Sequence, residues 1–215
     1  MTPQPLRRPR PTAASLTATG LLAAAMLTAL PGCAPLIIGG AMVGGVLVAT
    51  DRRTTGAQVE DQGIELRAAA TVRELATLGH VNVTSYNRML LLTGEVPDES
   101  QRARIEQAVA RVENVRQVIN ELAVAGNSSS TSRANDALLS TKVKASFVDA
   151  KDVSANAVKV VTERGNVYLM GRVTEREATR AADLTSRVPG VTKVVRVFEL
   201  ISEEELAKML PAPKN

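Results

Sequence analysis

The sequence predicts an α+β protein of two tandem domains, each running helix–strand–strand–helix–strand, and three observations carry that expectation. The first is an internal repeat. Leu91-Leu92-Thr93-Gly94-Glu95-Val96 is answered by Tyr168-Leu169-Met170-Gly171-Arg172-Val173 at an offset of 77, and Val115, Val118 and Ile119 by Val191, Val194 and Val195 at an offset of 76. The second is a shared order of patterns, in which apolar residues four apart give way to strict alternation at the same point of each copy. The third is the polar stretch Gly126-Asn127-Ser128-Ser129-Ser130-Thr131-Ser132 between the copies, with the composition of a flexible linker.

Ile64, Ala68 and Val72 lie four apart, as do Leu139, Val143 and Phe147, so each copy opens with an amphipathic helix. Val81-Asn82-Val83-Thr84 and Val158-Lys159-Val160 alternate as half-buried strands. Tight turns at Asn87-Arg88 and at Arg164-Gly165-Asn166 return the chain as a second strand. Asp98-x-x-Gln101 and Thr174-x-x-Glu177 have the spacing of capping boxes and start the second helix. That helix is expected to stop at Asn114 or Gly190, residues that tolerate a left-handed C-cap, before a third strand. Gly94 and Gly171, each inside a strand, are expected to admit a helix backbone at close range. The resulting division is 1–32 signal segment, 33–58 apolar tether, 59–126 first domain, 127–132 linker, 133–201 second domain and 202–215 tail. Each domain is expected to fold alone.

The N-terminus has the three-part logic of a secretory signal: Arg7, Arg8 and Arg10, an apolar stretch from about Ala13 to Leu30, and the small residue Gly32 before Cys33. Leu30-Pro31-Gly32-Cys33 resembles the end of a bacterial lipoprotein signal. The resemblance implies that the Cys33 thiol carries diacylglycerol, that the chain is cut before it, and that the new amine is acylated. An ordinary cysteine after an uncleaved membrane helix is the plainer alternative; a lone thiol has no internal disulfide partner. Residues 34–49 are apolar but shorter than the roughly 20 residues a helical span needs. They read as a tether on the lipid surface, ended by Arg52 and Arg53 at the headgroup zone. Their paired glycines leave a small pore or an oligomerising hairpin as the competing reading.

Charge narrows the function classes. The net charge of +4 includes three signal arginines, and residues 33–215 carry 23 basic against 22 acidic side chains. With aromatics at 2% and tryptophan absent, stacking platforms for bases are nearly lacking, so no nucleic-acid partner is expected. The copies differ, however: residues 59–125 are net −3 and residues 133–201 net +4. On the first helix of the second copy, Leu138 stands off the core stripe, and Thr141, Lys142 and Ala145 extend that second face. An apolar residue beside lysine suits contact with anionic lipid. The alternative is that Leu138 packs under the linker or the other domain and the lysines are merely solvated.

Catalytic chemistry finds little to build on. His80, placed in the loop before a strand, is the one histidine, so a multi-histidine metal site is excluded and no metal or cofactor is expected. No nucleophile-elbow pattern and no phosphate-binding glycine loop occurs, and no catalytic residue is assigned. Glu203-Glu204-Glu205 opens a short helix, where carboxylates suit the helix dipole.

The repeat, with Gly-x-Val ahead of a capped helix and Val-x-x-Val after it, resembles the BON domain. The two copies, the lipobox and the run from Gly165 to Ala178 are similar to the dual-BON outer-membrane lipoproteins, over roughly Thr54 to Ile201. That resemblance implies a non-enzymatic periplasmic protein that binds anionic phospholipid through the first helix of its second domain and supports envelope integrity. It also implies a link to the division site and to the machinery that assembles outer-membrane proteins. Where those proteins carry tryptophan on the lipid face, this chain has Leu138, which removes an aromatic interfacial anchor. Ala34 after the cysteine favours the outer membrane by the family's sorting rule. A second reading makes the acidic first domain a docking surface for an assembly or chaperone partner, through an exposed β-edge.

Overall fold

The computed structural model describes residues 51–76, 78–150 and 152–209. The first domain comprises α1 (Thr55–Leu75), β1 (His80–Tyr86), β2 (Met89–Val96), α2 (Glu99–Val109) and β3 (Gln117–Val124). The second comprises α3 (Ser130–Asp149), a short 3-10 turn (Ala155–Ala157), β4 (Lys159–Glu163), β5 (Asn166–Val173), α4 (Glu175–Ser186) and β6 (Lys193–Leu200). A last helix, α5 (Glu203–Met209), follows it. The expected α+β class and order therefore hold in both copies. Each copy forms a three-stranded sheet, ordered β1-β2-β3 or β4-β5-β6. The central strand is antiparallel to the first and parallel to the third. A parallel neighbour requires a crossover, and α2 and α4 supply it.

Local chemistry explains the joints. Asn87 and Arg88 have φ of 48° and 68°, Arg164 and Gly165 of 53° and 74°, the doubly left-handed geometry that matches the twist of two hairpin strands. One aspartate on each opening helix holds the turn in place. Asn87 and Arg88 donate their backbone N–H groups to Asp61, at 2.7 and 2.8 Å. Arg164 and Gly165 donate theirs to Asp136, at 2.9 and 2.8 Å. Thr174 and Glu177 form the full reciprocal capping box. Asp98 accepts from the Gln101 N–H, but the Gln101 amide turns away to donate to the Leu75 carbonyl, so that box is only half formed.

Four expectations are corrected at this level. The second helices end at Val109 and Ser186, with right-handed caps at Ala110 and Arg187. Asn114 and Gly190 do adopt positive φ, but several residues later, where the chain bends into the third strand. Ser130 to Ser132 are not linker: they form the first turn of α3, and the Ser129 hydroxyl caps it by accepting the Ser132 N–H at 3.1 Å. Residues 55–58, assigned to the tether, belong to α1, capped by Thr54. The backbone crowding Gly94 is the His80 carbonyl of the paired strand, and at Gly171 it is the Ala157 carbonyl of the short 3-10 turn, not a packed helix.

One face of each sheet is covered by its own two helices. Ile64, Ala68 and Val72 pack with Leu90, Leu92, Val96, Ile105, Val109 and Leu122 in the first domain. Leu139, Val143 and Phe147 pack with Val160, Leu169, Val173 and Ala178 in the second. A third cluster is shared: Tyr86 and Leu91 from the first domain meet Tyr168, Met170 and Val197 from the second, flanked by Ile119, Val161 and Val195. The sheets thus cover each other's second faces, which is why every residue of β2 is buried and why that strand is a nearly continuous apolar run. Each large apolar side chain buried there contributes roughly 1.5–3 kcal/mol. Leu91 and Met170, both fully buried, lie in this shared cluster at the boundary between the two domains.

Polar contacts seal that boundary. Arg52 makes a bidentate pair with Glu177, both contacts 2.7 Å and both side chains only 7% exposed, and donates to the Arg172 carbonyl at 2.9 Å. Burial alone would raise the Glu177 carboxyl, but the Arg52 hydrogen bonds outweigh it and hold the group below the usual range. Arg53 lies over the Tyr86 ring, 4.3 Å from its centroid, and pairs with Asp51 and Asp61. Neither arginine is available to a headgroup zone, which corrects the role assigned to them. Glu199 accepts from Asn87 and Arg116 of the first domain and from Arg172 of its own.

Candidate functional site

Helix α3 has two faces because its apolar residues follow two registers. Asp136, Leu139, Val143 and Phe147 are buried against β4 and β5. Leu138, Thr141, Lys142 and Ala145 lie together on the opposite face, and all four are exposed. Leu138 is 62% exposed and Val148, one turn beyond Ala145, 73% exposed, so neither packs under the linker or the first domain. The Thr141 hydroxyl donates back to the Ala137 carbonyl at 3.1 Å, which turns its methyl group outward among these residues. Lys142 and Lys144 are exposed beside them. Leu138 and Lys142 also border a shallow groove closed on its far side by Gly165, Pro189 and Gly190. The result is a stripe of small and aliphatic groups flanked by lysines.

Cys33 lies outside the described residues, as do the signal segment and most of the tether. No helix among the described residues is long and apolar enough to cross a membrane. Glu203 and Glu205 in the first turn of α5 are largely solvated and pair with Arg176 and Arg172. His80 is the first residue of β1 rather than part of a loop. The fold gathers it with Glu95 and Glu163, one potential ligand atom from each lying within 4.8 Å of the others. The sequence reading, which counted histidines, missed this group because its members come from three strands and both domains.

Two copies of a helix–strand–strand–helix–strand unit, with the glycine-bearing central strand, define the class, and the comparisons agree with it. The BON domain pattern matches residues 65–126 and 135–201. This chain belongs to the BON-domain family, and within it is a dual-BON, DolP-like outer-membrane lipoprotein. It is 40% identical over 176 residues to the outer membrane lipoprotein DolP of Haemophilus influenzae, covering 80% of this chain and 90% of that one. It is 31% identical over 154 residues to the 21 kDa hemolysin of Actinobacillus pleuropneumoniae, covering 70% and 79%. Among solved structures, the C-terminal domain of the type III secretion protein CdsD of Chlamydia trachomatis overlaps 63% of this chain and 96% of its own. The TM-score is 0.28 at 10% identity, too low to argue from.

Proposed function

We propose that this chain is held at the periplasmic face of the outer membrane by acyl chains on Cys33. In this reading it binds anionic phospholipid through the outer face of α3 and so supports the integrity of the envelope, as a binding protein and not as an enzyme. The observation that carries the reading is the exposed stripe of Leu138, Thr141, Ala145 and Val148 between Lys142 and Lys144, in a domain of net charge +4. Each basic residue near an anionic surface contributes about 1 kcal/mol, and the partial insertion of aliphatic groups adds to it. Two or more acyl chains anchor stably, and tethering raises the local concentration of the helix at the surface, so a weak contact suffices. Mass spectrometry of protein extracted from membranes is expected to show an acylated cysteine as the first residue; a first residue of Met1 or Thr2 would remove the anchor.

The lipid contact is tested with the acyl-free chain from residue 34 onward and vesicles with and without anionic lipid. Both domains are kept because they share a core. Lys142→Glu is expected to weaken binding by about tenfold at low salt, with a smaller difference at high salt, since the lost term is screened by ions. Leu138→Trp is expected to strengthen binding while changing stability by less than about 0.5 kcal/mol, as an exposed substitution should. Unchanged binding by folded Lys142→Glu protein would take the contact away from this helix. Absence of vesicle binding altogether would leave the docking reading, with the free edges of β1 and β3 as the contact.

A further inference from the structure

We propose that His80, Glu95 and Glu163 form a binding site for a divalent transition-metal ion, zinc by the character of the ligands, which staples the two domains together. In β1, residues two apart share a face, so His80 and Asn82 both point toward the second domain. His80 is paired across the hairpin with Glu95. Glu163 arrives from the end of β4, held by the Asn82 amide, which donates to its Oε2 at 2.9 Å. The second oxygen of Glu95 is likewise used, accepting the Ser128 N–H at 3.2 Å.

One potential ligand atom of each of the three side chains lies within 4.8 Å of the others. Glu95 is fully buried and Glu163 is 5% exposed, yet Oε1 of each, together with His80 Nδ1, has no hydrogen-bond partner among the described residues. Buried carboxylate oxygens are rarely left so, because an uncompensated one costs several kcal/mol. The nearest cationic group paired with them is Arg164, whose guanidinium nitrogen stands 3.9 Å from Glu95 Oε1, beyond hydrogen-bonding distance, on a side chain 44% exposed. Besides the His80 imidazole itself, the two carboxylates face only one distant, half-solvated arginine.

An imidazole nitrogen and two carboxylate oxygens are three of the four ligands of a tetrahedral zinc site, with water as the fourth. The present spread of up to 4.8 Å must contract to about 3.4 Å between ligand atoms around a bound ion. Each carboxylate is already oriented by one donor, as supporting hydrogen bonds orient metal ligands elsewhere. Because Glu163 belongs to one domain and His80 and Glu95 to the other, the ion would tie the domains at the edge of their shared core.

The experiment uses the chain from residue 34 onward, which carries both domains and lacks the competing thiol of Cys33. After dialysis against zinc, metal analysis is expected to find one ion per chain. The melting midpoint is expected to rise by about 5–10 °C at a hundredfold excess of zinc over the dissociation constant, and to fall back with chelator. Glu163→Gln and, separately, His80→Ala are expected to weaken zinc binding more than tenfold and to abolish that rise. Both should remain folded in chelator, where melting shows it directly; two variants are used so that misfolding of one leaves the other decisive. Absence of stoichiometric zinc from the parent chain would overturn the proposal. So would undiminished binding by either folded variant.

Discussion

Replacing Gly94 by alanine is expected to destabilise the protein by about 3–5 kcal/mol. The residue sits in β2 at φ 113°, a conformation that side chains rarely adopt, and a Cβ there would overlap the His80 carbonyl oxygen of the paired strand. Strain of this kind costs roughly 1–3 kcal/mol, and overpacking against a neighbour that cannot yield costs a similar amount. The obstacle is backbone inside a hydrogen-bonded ladder, so β1 must move as a whole, and with it the register that pairs His80 with Glu95. Gly126→Ala is the control: nothing lies within 4 Å of its Cβ, and a change below about 0.5 kcal/mol is expected. Denaturant unfolding of both variants beside the parent measures the difference; a Gly94→Ala midpoint equal to the parent's would show that the strand relaxes freely.

The second large effect is expected at Asp61. Its carboxylate accepts from the Ser85 hydroxyl at 2.6 Å, from the Asn87 and Arg88 backbone N–H groups, and from Arg53 at 2.8 Å, with 3% of the side chain exposed. Asp61→Ala leaves two turn amides and the buried Ser85 hydroxyl without their acceptor, and Arg53 with Asp51 alone, a loss of about 3–5 kcal/mol. The same carboxylate predicts an acid limb. Burial alone would raise the Asp61 carboxyl, but the Ser85, Arg88, Arg53 and Asn87 donors overcome it and hold the group below its ordinary value of 3.8. A carboxyl lowered in the folded state contributes its stability fully above the unfolded value and loses it as pH falls through the folded one. Unfolding measured from pH 5 down to pH 2 should show parent stability falling in that window, with a shallower fall for Asp61→Asn, which starts lower but has no proton to take up. Parallel profiles would assign the acid limb to other carboxylates, such as Glu177 and Glu199.

Local signals were readable because they depend on neighbours in the chain. The four-residue spacing of Ile64, Ala68 and Val72 marks a helix face whatever it packs against, and all three are buried. Asn87-Arg88 and Arg164-Gly165 mark turns because few residues accept left-handed backbone. The outer face of α3 was legible for the same reason, since the angle between Leu138 and Leu139 is a property of the helix alone. Errors arose where a residue type had two uses. Serines read as linker cap α3, and Gln101 left its capping position for the Leu75 carbonyl. Asp61 and Asp136 occupy equivalent places in the repeat, yet nothing near them in the chain announces the turn each one holds.

The amino-acid sequence alone is enough for the fold class, the repeat, the order of its elements and the outer face of α3. It also determined membership in a family of outer-membrane lipoproteins. These follow from period, turn chemistry and motif, all set within a few residues. Tertiary packing makes the two sheets share a core through Tyr86, Leu91, Tyr168 and Met170. It alone turned Arg52 and Arg53 from expected headgroup contacts into buried ion pairs, and brought His80, Glu95 and Glu163 to one point. The physical reason is distance along the chain. Asn82 reaches Glu163 and Arg52 reaches Glu177 only because burying two apolar sheet faces draws the domains together, and that free energy is non-directional, with no signature in the residues it brings into contact.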